Sequence, residues 1–178
     1  MNREPRERIR AAFERRVTTL ARMPGIGQGT AVTRVQLRLQ DGLACDVQDG
    51  PWKFTADMSE KSGGSGIGPD PGVYGRGALG ACMAMAYAFW AAQHGIVLDR
   101  LEIEIQADYD VRGTFGVDEV APEYRQVRCI VTIDSPAPRD AVLRMMDDAD
   151  AHSPYVGVFR RPIDVRREVR FASRPGPE

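Results

Sequence analysis

Cysteine and histidine are scarce in this sequence: three cysteines (Cys45, Cys82, Cys129) and two histidines (His94, His152) among 178 residues. An odd cysteine count with no CxxC pair predicts neither a disulfide framework nor a zinc site. Two histidines are too few for a histidine-rich metal centre, so neither metal nor other cofactor is expected. An excess of one charge is missing too. Lys+Arg number 24 against 25 Asp+Glu, a net charge of -1, which gives no whole-surface attraction for nucleic acid or anionic lipid. The arginine-rich segments "REPRERIRAAFERR" and "FRRPIDVRREVRF" also carry acids and read as solvated faces, so no nucleic-acid partner is expected. A membrane span is likewise lacking. The uncharged run "GALGACMAMAYAFWAA" (77–92) is bounded by Arg76 and Gln93-His94 and falls short of the roughly 20 apolar residues a span requires. "MNREPRER" has no apolar core and predicts no secretory leader. The expected location is cytoplasmic, with no membrane partner.

What is present suits one domain with a real core: 43% apolar and 28% charged residues is ordinary globular composition. Ile9, Phe13, Val17 and Leu20 recur at helical spacing, predicting an amphipathic helix over 4–22. Period-two alternation then predicts strands over 30–40, 43–48 and 52–58, with "QDG" and "QDGP" as hairpin turns. The glycine-dense loop "SEKSGGSGIG" follows. Asp70 as N-cap, Pro71 at the first helical position and Gly95 as a left-handed cap bound a helix from about 71 to 93. This helix is apolar all round, so it should be buried on every side. "LEIEIQADYDV" and "YRQVRCIVTI" read as strands, "DSPAPRDAVLRMMDDADA" as a helix capped by Ser135, and "IDVRREVRF" (163–171) as a last strand. Blocks of strands with inserted helices make an α+β domain.

Few residues suggest chemistry on their own. Gly75-Arg76-Gly77-Ala78-Leu79-Gly80 matches GxGxxG, but a Gly/Ser/Pro loop precedes it where a dinucleotide fingerprint needs a strand. Close packing of other elements against the helix accounts better for these glycines. Cys45 and Cys129 lie on apolar strand faces and read as small core residues. Asp147, Asp148 and Asp150 beside His152 point in different directions on a helix and read as a solvated face. Cys82 lies more than two turns into its helix, too deep for the N-terminal dipole to activate it strongly. Reactivity there would require a cation from another segment.

The stretch "ALGACMAMAYAFWAAQHGI", followed by "VTIDSPAPRDAVLRMMDDADAHSPYV", resembles the OsmC/Ohr family (osmotically inducible protein C and organic hydroperoxide resistance protein). The resemblance covers about residues 30–171 and sets residues 1–28 apart as an N-terminal helical extension to an OsmC-like domain at 29–178. It implies an intertwined homodimer in which antiparallel sheets enclose two central helices. It also implies a mechanism. The cysteine on the central helix attacks an organic hydroperoxide and becomes a sulfenic acid. A second cysteine before a proline resolves it as a disulfide, and a dithiol restores both. An arginine and a glutamate orient the thiolate.

Transferred to this chain, the first cysteine falls at Cys82 and the second at Ser153, which cannot form a disulfide. The glutamate position falls at Gly72, with Asp70 nearby but committed to capping. The arginine is unassigned: "DVQDG" stands where a glycine-arginine turn is expected, leaving Arg34, Arg38 and Arg76 as candidates. Two readings follow. One is a one-cysteine thiol peroxidase that draws on an external thiol to resolve a sulfenic acid at Cys82. The other is a noncatalytic dimer holding a small apolar ligand at its interface.

Overall fold

The computed structural model describes residues 3–171. Helix α1 (Arg3–Arg22) leads through a short 3-10 turn into an antiparallel meander of β1 (Thr33–Leu37), β2 (Cys45–Asp49) and β3 (Trp52–Ala56). Helix α2 (Pro71–His94) follows, then β4 (Arg100–Asp108), the one-turn α3 (Val111–Thr114) and β5 (Gln126–Asp134). Strands β4 and β5 form a second antiparallel sheet, and α4 (Arg139–Ala151) and α5 (Pro154–Arg160) complete the order. The architecture is the expected α+β one. Among the described residues no helix is long and apolar enough to cross a membrane.

The ends of α2 are set by local chemistry. The Asp70 carboxylate accepts the Val73 N–H at 3.1 Å, and Pro71 opens the helix where no N–H is needed. At the far end Gly95 takes φ 69°, the Ile96 N–H reaches Ala91 O, and the Gly95 N–H reaches Ala92 O. This paired closure is a Schellman cap, and Ile96 continues into the core beside Ala91. One face of α2, Leu79, Met83 and Tyr87, is buried against Leu101, Ile103 and Ile105 of β4 and against Ala149 and Val156. Gly80 permits the approach of β4, since a Cβ there would sit 3.3 Å from Ile105 Cγ1. Gly75 and Gly77 meet nothing within 4 Å, so packing accounts for only one of the three glycines in that motif.

The opposite side of α2 is uncovered. Met85 and Phe89 are exposed there, Met85 at 63%, and Val73 is exposed in the first turn, so a single chain does not bury this helix all round. Phe13 of α1 covers part of its C-terminal half, with ring centroids 6.4 Å from Phe89 and 5.7 Å from Trp90. The first sheet is also bare. Its cross-strand row Val35–Val47–Phe54 has two exposed members. Tyr74 ties the sheet to α2: its ring centroid lies 4.9 Å from that of Phe54, and its hydroxyl donates to Thr55 O at 2.6 Å.

Several expectations need correction. The third strand stops at Ala56 because Asp57 turns inward: its buried carboxylate accepts the N–H groups of Met58, Ser65 and Ile67 and gathers the glycine-rich loop around itself. Gly64 fits there because a Cβ would lie 2.0 Å from Met58 O. Ser135 does not cap α4. The N-cap is Pro138, and Ser135 Oγ instead donates to Val97 O and accepts from Ala137 N. Residues 163–171 pair with no strand among the described residues and are exposed throughout. Cys129 shares the face of Val127 and Val131, but that face is open at its position and the thiol is exposed. Cys45 is half-buried, with Sγ 3.6 Å from Leu43 O.

Candidate functional site

Cys82 projects from the fourth turn of α2, one residue from buried Met83 and three from buried Leu79. Its Sγ lies 3.4 Å from Ser153 Oγ. Ser153 is 5% exposed and is the N-cap of α5, accepting the Val156 N–H on its side chain, with Pro154 at the first helical position. The sequence reading missed α5. Ser-Pro opening an apolar stretch is an N-terminal helix signal, but a seven-residue helix leaves little periodicity to detect. The two positions singled out as candidate site residues, 71 apart in sequence, are thus neighbours across α2 and the α4–α5 corner.

The corner is held from below. Tyr87, 1% exposed, donates its hydroxyl to Asp150 Oδ1 at 2.9 Å, and Asp150 Oδ2 lies 3.7 Å from Arg160. Burial and this bond push the Tyr87 pKa far above its ordinary value, so the phenol stays a donor. Two of the three aspartates near His152 are therefore engaged rather than solvated: Asp150 here, and Asp148 with His94 Nε2 at 3.2 Å. His152 Nδ1 meets Asp148 O at 2.7 Å, and its ring lies 4.8 Å from that of Trp90. No group of three or more acids, histidines and cysteines among the described residues is arranged to hold a metal.

The arginine candidates separate clearly. Arg38 is committed to Asp46, with Nε 3.0 Å from Oδ2, and Arg34 is exposed on β1. Arg76 Nη1 donates to Tyr124 OH at 2.9 Å. None of the three makes a hydrogen bond to Cys82. A Cβ on Gly72 would lie 2.9 Å from Arg76 Nη1, 2.9 Å from Asp70 Oδ1 and 3.0 Å from Tyr124 OH. An arginine therefore stands beside the position where the resemblance puts a glutamate, as i,i+4 spacing on a helix allows; Tyr124, 48 residues from Arg76, is the member that spacing could not show.

Beside the middle of α2 opens a groove of about 1110 Å³, floored by Leu79, Met83 and Tyr87 and walled by β5 and the α4–α5 corner. Cys129 lines it and Cys82 does not. Desolvation and the Asp150 carboxylate raise the Cys129 thiol pKa, with Arg160 opposing, so Cys129 is held as the thiol rather than the nucleophilic thiolate.

A family signature accompanies this geometry: the family described as OsmC-like protein matches residues 63–168, more than half of the chain. The chain belongs to the OsmC-like protein family. Solved structures agree in fold. An OsmC-like protein from Mycoplasma pneumoniae superposes with a TM-score of 0.63 at 14% identity, covering 75% of this chain and 89% of that one. A structure described as a putative osmotic stress induced and detoxification response protein, from Psychrobacter arcticus 273-4, gives 0.56 at 14% identity, covering 73% and 88%. An OsmC-like hydroperoxide resistance protein from Jannaschia sp. CCS1 gives 0.50 at 13% identity, covering 79% and 91%. No curated protein matches the sequence.

Proposed function

We propose that this OsmC-like protein is a homodimeric, thiol-dependent organic hydroperoxide reductase working through one cysteine, Cys82. The observation that carries this reading is the 3.4 Å approach of Cys82 Sγ to Ser153 Oγ. The thiol faces the corner where a resolving cysteine would stand, and a serine stands there instead. In the first step the Cys82 thiolate attacks the distal peroxide oxygen, the O–O bond breaks, and an alkoxide leaves and takes a proton as the alcohol. Cys82 is left as a sulfenic acid. Ser153 cannot displace its hydroxyl to form a disulfide, so an external thiol does so, releasing water. A second thiol then frees Cys82 and leaves the reductant as a disulfide. Three free thiols fit a reducing, cytoplasmic setting.

The dimer is supported by the apolar surface one chain leaves bare, the Met85–Phe89 side of α2 and the face of the first sheet. Multiple-turnover reduction of cumene hydroperoxide with dithiothreitol, abolished by Cys82→Ser and unaffected by Cys129→Ser, is the expected result. Turnover that survives Cys82→Ser would exclude the reading. The groove favours a second reading, a dimer that holds an apolar ligand without chemistry. Under it, Cys82 would stay unlabelled by a sulfenic-acid trap after peroxide treatment of the native protein.

A further inference from the structure

We infer that Ser153 is a catalytic hydrogen-bond donor to the Cys82 thiolate, so that a hydroxyl at this corner does part of what a nearby cation would do. The inference rests on the one-cysteine reading above and adds a second residue to that site. Three bonds fix Ser153 in place. Its N–H donates to Asp150 O at 3.3 Å, its carbonyl accepts the Gly157 N–H at 3.0 Å, and its Oγ accepts the Val156 N–H at 3.5 Å. The residue is 5% exposed, so bulk water does not compete for the hydroxyl proton. Among the described residues, Cys82 Sγ at 3.4 Å is the one acceptor that this hydroxyl meets.

The contact discriminates between the two protonation states of Cys82. A thiol donates or accepts only weakly, whereas a thiolate can only accept, and a bond to a charged acceptor is the stronger one. Bonding to the charged form favours that form. The charged and titratable groups around the corner are engaged elsewhere. Asp150 is held by Tyr87 and Arg160, His152 by Asp148 O and the Trp90 ring, and His94 by the Asp148 carboxylate. Strand β4 meets α2 through apolar Leu101, Ile103 and Ile105. Cys82 is half-buried and Ser153 buried, so the hydroxyl takes the inner side of the sulfur and leaves the outer side to the peroxide. Ser153 keeps its proton throughout, and the departing alkoxide takes one from solvent. The size of the effect is bounded. A hydrogen bond to a charged group raises the thiolate share at neutral pH roughly tenfold. A stabilised thiolate is also a weaker nucleophile, with a Brønsted slope of about 0.4–0.5, which offsets roughly threefold of that. The net gain at pH 7 is about threefold.

Alkylation of Cys82 by iodoacetamide from about pH 6 to about pH 10, in a protein carrying Cys45→Ser and Cys129→Ser, tests this. Ser153→Gly removes the hydroxyl and barely weakens the start of α5, because glycine is nearly as good an N-cap. It should react about threefold more slowly than the parent at pH 7 and faster at the alkaline end, so the two rate profiles cross. Ser153→Ala, which also lacks a hydroxyl but caps poorly, should cross the parent in the same way. Ser153→Thr keeps the hydroxyl and should follow the parent. A corner merely loosened by substitution would expose Cys82 and speed alkylation at every pH; that result, or coincident profiles, would overturn the inference. A sulfenic-acid trap on the parent after cumene hydroperoxide separates this inference from the reading beneath it. Crossing profiles with Cys82 unlabelled would keep the hydrogen bond and remove the peroxidase. Labelled Cys82 with coincident profiles would keep the peroxidase and remove Ser153 from it.

Discussion

The Tyr87 hydroxyl donates to Asp150 Oδ1 at 2.9 Å, joining the middle of α2 to the end of α4 just before the corner that holds Ser153. Tyr87 is among the largest fully buried side chains, so this bond forms inside the core, where an unmade one is costly. Tyr87→Phe keeps the ring and removes the donor. The expected loss is about 1–2 kcal/mol, seen as a lower urea midpoint with an unchanged slope. Alkylation of Cys82 in the native protein should also accelerate, because the α4–α5 corner loses a tether. A midpoint equal to wild type would mean that water replaces the phenol at Asp150.

What the sequence discloses tracks how local the cause is. Asp70, Pro71 and Gly95 each act on backbone groups within a few residues, and both ends of α2 fall where those residues put them. The hairpin at Gly50 is equally local, with Asp49 facing Trp52 across it. Asp57 defeats the alternation pattern because its partners, Ser65 and Ile67, lie beyond a loop. Residues 163–171 alternate like a strand, yet alternation describes a side-chain pattern and does not supply a neighbour to pair with. The approach of Cys82 to Ser153 was legible only through family resemblance. Gly72 and Arg76 are neighbours by i,i+4 spacing on α2, but the arrival of Tyr124 beside them was not legible, since it depends on how the long β4–β5 connection folds back.

Acid stability should depend on Asp57. Burial works to raise its pKa, but the N–H groups of Ile67, Met58, Ser65 and Gly66 outweigh burial and hold it below the ordinary carboxylate value. With the folded pKa depressed, the carboxylate contributes stability above the unfolded value of about 4, and that contribution is lost as pH falls through the folded pKa. Asp57→Asn turns an acceptor into a partial donor among backbone donors. It should lower stability at pH 7 and flatten the decline below about pH 4. A parallel acid profile in the variant, measured by urea unfolding at each pH, would remove Asp57 from this account.

Assembly should be visible in light scattering. Val73, Met85 and Phe89 are exposed on one chain, and covering them together with the bare face of the first sheet calls for an interface in the range of roughly 2,000 Å² or more, typical of obligate homodimers. The wild type should be a dimer at micromolar concentration. Met85→Glu should remove the dimer, because a charge sealed into that interface has no partner. A folded wild-type monomer would refute the dimer.

Ser153→Cys should supply the bond that the wild type cannot make. The Cys82 Sγ to Ser153 Oγ distance of 3.4 Å leaves only a small side-chain adjustment for two sulfurs to join, and Ser153 is already fixed by its role at the start of α5. Treatment of the variant with one equivalent of cumene hydroperoxide should therefore yield an intramolecular disulfide joining Cys82 to position 153, identified by peptide mass mapping. The wild type should yield only a trappable sulfenic acid. The closed loop spans 71 positions, so the oxidised variant should gain about 4 kcal/mol over its reduced form. The rate of disulfide formation carries separate information. If it follows the wild-type rate of sulfenic-acid formation, attack on peroxide limits both and Cys82 is the oxidised residue. A disulfide that forms only under denaturing conditions would show that Cys82 and position 153 do not meet in the native protein, and would take the one-cysteine reading with it.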